Sequence, residues 1–371
     1  MKKVVFFVCL SILSANIILV PDNYATIQLA INNASNNDTV LVNQGTFVEN
    51  IIINDISISV ISLNGPNNTI IDGNNNGSVI NVQSENNNVL IRGFTIKNGV
   101  GELLDGSSRY GGGILSCNTA LTLDSLIVIN NESFAGGGVC FYAMDSNPTH
   151  SILKNSIVQN NIASEGGGIF SINQSLSILK STVSNNGMIP YGSGGGIQTL
   201  LSDINIQDVI INNNHSRFGG GIYIGNSDAE IENSVISNNI SDSKGGGIWV
   251  GSDSQLGIFG ALISDNIADG FGGGIFISLS WVAINKTTIV SNIISSAVLG
   301  AGIYTDGGGA LIQNSIIYFN RREEDDSIDH NINGYSSNNF IEYDVEYSDI
   351  EGNTNWIPNG FGIISSNPEF E

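Results

Sequence analysis

Charge is scarce in this chain of 371 residues: Asp, Glu, Lys and Arg together make up 12%, about half the usual share of a soluble domain. Positive charge is scarcest. Twelve Lys and Arg stand against 34 Asp and Glu, a formal balance of −22, and only five of the twelve are Arg. Phosphate backbones are held by clusters of Lys and Arg, so the composition argues against a nucleic-acid partner. Proline is limited to 6 residues and cysteine to 3. No run of about 20 apolar residues follows the N-terminal stretch, so the mature chain carries no membrane-spanning helix. What abounds is Gly, with 45 residues, and Asn, with 51. Both favour turns and left-handed backbone over helix interiors, which excludes a long-helix or coiled-coil protein. The absence of a Gly-X-Y period excludes collagen.

The N-terminus reads Met1-Lys2-Lys3, an apolar run from Val4 to Leu13, then Ser14-Ala15. A basic start, a short apolar stretch and a small residue make up a secretory leader. Residues 1–15 are therefore expected to be a signal peptide cut after Ala15, leaving residues 16–371 as an exported domain, secreted or displayed at the cell surface. Cys9 would leave with the leader. Cys117 and Cys140 align on neighbouring strands two positions apart, which sets their Cα atoms roughly 8 Å from one another. A disulfide needs less than about 7 Å, so both are expected to be free thiols.

Internal repetition is the strongest signal. Gly-Gly-Gly followed by Ile or Val begins at Gly111, Gly136, Gly166, Gly194, Gly219, Gly245 and Gly272, and Gly300-Ala301-Gly302-Ile303 makes an eighth copy. The intervals are 25, 30, 28, 25, 26, 27 and 28 residues. An Asn follows twenty residues later in most copies, at Asn131, Asn186, Asn214, Asn239, Asn292 and Asn320, with Asn161 and Asn266 displaced. Each copy reads as three short strands rich in Ile and Val, bounded by Gly, Asn and Ser. No copy buries its own apolar face, so copies must stack. The expected fold is all-β, a single-stranded right-handed parallel β-helix with three strands per coil and regular repeats over 111–320. Stacked Asn amides would form a ladder at one corner, and the Gly triplets would serve another corner where no Cβ fits. Upstream, Ile27, Ala30, Ile31 and Ala34 have helical spacing and predict a short amphipathic helix capping the first coil.

Several segments carry a family resemblance: Asp22-Asn-Tyr-Ala-Thr-Ile-Gln, Asp38-Thr-Val-Leu-Val, Gly45-Thr-Phe-Val-Glu-Asn, Thr69-Ile-Ile-Asp-Gly and Arg92-Gly-Phe-Thr-Ile. With them, residues 21–370 resemble right-handed parallel β-helix proteins of the pectin-lyase-like superfamily. The Gly-Gly-Gly-Ile and Asn-Asn repeats are similar to those of bacterial polymorphic outer-membrane proteins. The resemblance implies a fold and a set of activities: lyases, hydrolases, epimerases and non-catalytic surface proteins. Many relatives continue past a stretch like Tyr347-Ser-Asp-Ile-Glu-Gly followed by Asn367-Pro-Glu-Phe into further coils and a sorting or anchoring module, so the resemblance leaves open a truncation at the C-terminus.

Two candidate sites follow. Four positions after each first Gly stands Leu115, Cys140, Phe170, Gln198, Tyr223, Trp249, Phe276 or Tyr304, beside a uniformly aliphatic column ending in Ile303. Strand alternation puts the aliphatic column inside and the aromatic one outside. Phe170, Tyr223, Trp249, Phe276 and Tyr304 are thus candidate ligand-binding residues, stacked at a pitch near that of one sugar and able to hold a glycan through CH–π contacts. The second candidate is the acidic run Arg321-Arg322-Glu323-Glu324-Asp325-Asp326 with Asp329-His330, where Asp325, Asp326 and Asp329 could hold Ca²⁺. His150 and His215 read as structural or surface residues in inserted or corner segments. No complete hydrolase or lyase motif is present, so the catalytic set is expected to be empty. The favoured reading is an exported, non-catalytic surface protein for adhesion or glycan binding; the alternative is a polysaccharide lyase or glycoside hydrolase.

Overall fold

The computed structural model describes residues 15–351 apart from 86, 105, 145–148, 252, 297–299, 324–330 and 336–340. Residues 1–14 of the expected signal peptide and the acids Asp325, Asp326 and Asp329 lie outside the described residues. The chain winds into a right-handed parallel β-helix, and nearly every strand pairs in parallel with the equivalent strand one coil away. Each repeat begins with a strand of what is here called the first ladder: Ile114–Cys117, Val139–Tyr142, Ile169–Ile172, Ile197–Leu200, Ile222–Gly225 and Ile248–Gly251. After a corner comes the second ladder: Ala120–Asp124, His150–Lys154, Ser175–Leu179, Ile204–Gln207, Asp228–Glu232 and Gln255–Phe259. In the next two coils single strands, Ile275–Asn285 and Ile303–Gln313, run through that corner and serve both ladders. The two ladders therefore form one bent 22-stranded sheet.

The third strand of each repeat, such as Val235–Ser237, joins a separate 12-stranded sheet. A further seven-stranded sheet, from Ile162–Glu165 to Arg321–Arg322, occupies the segment between the Asn and the next Gly triplet. Sequence patterning reads that segment as a variable loop. Its inward positions are mostly small (Ala163, Ser216, Ser241 and Ala268, with Ile294 the large one, all buried), so the alternation of large apolar and polar residues that marks a strand is weak.

Register converts sequence columns into lines along the rod. Ile222 pairs with Ile248, Ile248 with Ile275 and Ile275 with Ile303, and all four are fully buried in the main core. The Asn column forms the expected ladder. Asn239 accepts from the Asn214 side chain at 3.0 Å and donates to Asn266 at 2.9 Å, and its amide also reaches the Ile211 carbonyl at 2.9 Å. The left-handed corner residue is not the ladder Asn but the one before it: Asn213, Asn238 and Asp265 have φ of 54°, 54° and 55°. Asn tolerates this conformation better than most residues, which accounts for the Asn-Asn pairs. At the triplets, the first Gly turns left-handed, as at Gly245 with φ of 69°. The third lies against its neighbour coil, where a Cβ on Gly247 would stand 2.6 Å from the Gly274 carbonyl oxygen.

At the N-terminal end the helix α1, Ile27–Asn32, packs on Ile17–Val20, Thr39–Val42 and Ile51–Asn54. It buries Ile27, Ala30 and Ile31. The Thr26 hydroxyl accepts from the Leu29 amide, and the Glu49 carboxylate accepts from the Ile27 and Gln28 amides at 3.1 and 3.0 Å. Those contacts satisfy donors that the first helical turn leaves open.

Candidate functional site

Outside the first ladder the aromatic column stacks as the register requires. Tyr223 lies on Trp249 with ring centroids 4.2 Å apart and planes 3° from parallel. Trp249 is followed by Phe276 at 6.3 Å and Phe276 by Tyr304 at 5.8 Å. Solvent exposure does not follow, and this corrects the expectation of an open platform. Phe170, Phe276 and Tyr304 are only 4%, 1% and 8% exposed, and Tyr223 and Trp249 are half-buried. The chain covers its own rings. Phe271 lies 4.3 Å from Tyr304, and the Lys244 ammonium sits 4.6 Å from the Phe276 ring centroid. At the other end, Leu104 and Tyr110 pack over Leu115, Cys140 and Phe170. The column is thus a second apolar core, wedged between the first ladder and the residues leading into the Gly triplets. Beside it, burial pushes the Glu165 carboxyl above its ordinary range despite a hydrogen bond with Gln198. Burial, with the neighbouring Glu165 charge, also raises the Tyr223 hydroxyl.

The open surface lies one corner further along, on the outer face of the second ladder. A groove of about 930 Å³ runs along it from His150 to Asp344. Two outward columns build it. In the first, Asp228 pairs with Gln255, Gln255 with Trp281 and Trp281 with Gly309, and Asp203 precedes Asp228 one coil earlier. In the second, Asn205, Glu230, Gly257, Ala283, Leu311 and Asp344 succeed one another. Gly257 and Ala283 leave a shallow floor because they carry almost no side chain. Trp281 stands beside that floor with half of its surface exposed. Phe259 stands across it, its ring 5.0 Å from the Lys286 ammonium.

The corner between the ladders sharpens the rim. Asn173, Asn226 and Asp253 hold left-handed φ there, as Asn and Asp commonly do, but so do Leu201 and Leu279, at 51° and 50°. A Leu in that conformation is uncommon. Both side chains project into solvent, 58% and 67% exposed. From Ser175 to Asp344 the groove crosses six strand spacings, roughly 29 Å at 4.8 Å each.

Sequence reasoning missed this surface because its residues form no repeating motif: each coil puts a different side chain in the same column. The one legible signal was the pair Trp281 and Gly257 at outward positions. His150, read as a surface residue, lines the groove and meets the Ser177 hydroxyl at 3.2 Å. His215 is paired with Asp242 at 2.7 Å. Cys117 and Cys140 are free and buried, and the register sets Cys117 opposite Tyr142 rather than Cys140. Burial pushes the Cys117 thiol up to about 12, so it is unreactive at neutral pH. Among the described residues, no group of three or more His, Cys, Asp or Glu is arranged to hold a metal ion.

No protein-family model matches the chain, and no curated protein sequence matches it. Solved structures do. A pectate lyase is 12% identical with a TM-score of 0.48, over 93% of this chain and 82% of the other. The A-module of a mannuronan C-5 epimerase from Azotobacter vinelandii is 14% identical with a TM-score of 0.45, over 92% and 95%. The Dettilon tailspike protein is 12% identical with a TM-score of 0.46, over 95% and 69%. Likenesses at this level concern the path of the chain and leave activity open.

Proposed function

We propose that this chain is an exported, non-catalytic β-helix protein that binds a polysaccharide lengthwise in the groove of the second ladder. The observation that carries the reading is the half-exposed ring of Trp281 beside the shallow floor of Gly257 and Ala283. An aromatic face offers CH–π contact to a sugar ring at little entropic cost, since the strand beneath it is rigid. Strand spacing repeats at a pitch near that of one sugar, so a linear glycan meets comparable rows of hydrogen-bonding groups along its length. The role assigned from sequence to Phe170, Tyr223, Trp249, Phe276 and Tyr304 passes to this face. The lyase or hydrolase alternative rests chiefly on fold analogy; the charged run beginning at Arg321, its one dense candidate, lies outside the described residues from 324 to 330.

Affinity electrophoresis against a broad panel of soluble polysaccharides tests the proposal. Retention by at least one glycan is expected, reduced roughly tenfold by Trp281→Ala, the scale of one aromatic contact. Absence of retention across the panel, or retention indifferent to Trp281→Ala, would refute it. Release of unsaturated uronate products from any panel member would replace binding with lyase chemistry. Export is checked separately: mass spectrometry of the secreted chain is expected to find Asn16 at its N-terminus.

A further inference from the structure

Resting on the glycan reading of the groove, we infer that the occupant is a cationic glycan, a polymer of amino sugars with free ammonium groups, rather than a neutral or uronate chain. The lining contains Asp203, Asp228, Glu230 and Asp344, and its described residues include no Lys or Arg. None of these four acids takes part in a salt bridge among the described residues. The same face three coils earlier behaves differently. There Asp124 is neutralised by Arg92 at 3.0 Å and Lys154 at 3.9 Å, and Asn155 donates to it at 2.9 Å. The chain therefore pairs an acid on this ladder where the groove is absent and leaves its acids unpaired where the groove is present.

The neutral groups of the lining match. Asn205 Oδ1, on the second column beside Glu230, is shielded from solvent and has no hydrogen-bond partner among the described residues. An ammonium group brings three donors and no acceptor, which suits the carboxylates of Asp203, Asp228 and Glu230. Trp281 adds a ring face that attracts cations as well as sugar CH groups. A polyuronate would instead bring like charge to Asp203, Asp228 and Glu230, and the described lining supplies no Lys or Arg to offset that repulsion.

The test is calorimetric titration of the full chain with three probes: a chitosan oligosaccharide, its fully N-acetylated counterpart and an oligogalacturonate of similar length. Chitosan is expected to bind at least about tenfold more tightly than the acetylated oligomer, and to weaken with added salt as exposed ion pairs do. The double variant D228N/E230Q, which replaces exposed carboxylates with amides of the same shape, is expected to lose roughly tenfold for chitosan. The acetylated oligomer, which brings no ammonium group, is expected to lose less than chitosan does. Trp281→Ala should weaken both. If the acetylated oligomer or the uronate binds as tightly as chitosan, the cationic assignment is overturned while the groove stands as a glycan site. If chitosan binding ignores D228N/E230Q, the assignment is overturned as well. If no probe binds and the wider polysaccharide panel is also negative, both readings fall.

Discussion

The outer faces of the two adjoining ladders have the same origin and opposite fates. Both are built from alternate residues of strands whose other residues fill the core, and both carry aromatic rings. On the first ladder the rings from Tyr223 to Tyr304 stack on each other and are roofed by Lys244 and Phe271. On the second, Trp281 stands half-exposed above Gly257 and Ala283 with nothing from the described chain laid over it. Facing outward from a strand is thus different from facing solvent. Residues leading into the Gly triplets, Lys244 and Phe271 among them, lie over the first ladder's outer face, and among the described residues no equivalent segment covers Trp281.

The largest test of that contrast removes a ring from the covered face. Phe276→Ala should cost roughly 3–5 kcal/mol of stability, the range for emptying a buried aromatic site, with no change in glycan affinity of the folded fraction. Chemical denaturation beside a binding titration measures both. Trp281→Ala should do the reverse, altering stability by less than about 0.5 kcal/mol while weakening binding. If the two variants behaved alike, the division between a second core and a binding face would be broken.

Glycine gives a second, smaller contrast. Gly247→Ala drives a Cβ to 2.6 Å from the Gly274 carbonyl oxygen, and overpacking of that kind costs about 1–3 kcal/mol or more. On the groove floor, a Cβ at Gly257 meets nothing closer than 3.9 Å. Gly257→Ala should therefore leave stability within about 0.5 kcal/mol of the native value, whereas Gly257→Leu should fill the floor and abolish retention. Comparable melting temperatures for Gly247→Ala and Gly257→Ala would contradict the packing described.

The smallest effect concerns Glu165. Its folded-state carboxyl is raised by burial, so the folded state holds the proton more tightly than the unfolded chain does. Its favourable contribution is present at acid pH and is lost as pH rises through the raised value. At neutral pH the ion is a burden beside the aromatic column. Glu165→Gln is expected to raise stability slightly at neutral pH and to match the native protein below the ordinary Glu range, read from denaturant midpoints across pH. A variant less stable than native at neutral pH would show the charge to be favourable there.

What the sequence determined by itself was everything periodic. Ile222, Ile248, Ile275 and Ile303 recur in one register, as do Asn214, Asn239, Asn266 and Asn292, because each must meet its copy one coil away. That neighbour relation selects the same residue again and again, and so writes itself into the chain. The sheet carrying Ser241 and Ala268 escaped notice because mostly small inward residues leave little hydrophobic alternation to read. The groove was decided only in three dimensions. Its members are alike in position and unlike in kind, from Asp228 to Gln255 to Trp281, and their worth depends on which outward face the chain leaves uncovered. Coverage is set by contacts between segments far apart in a coil, and no local pattern of residues encodes it.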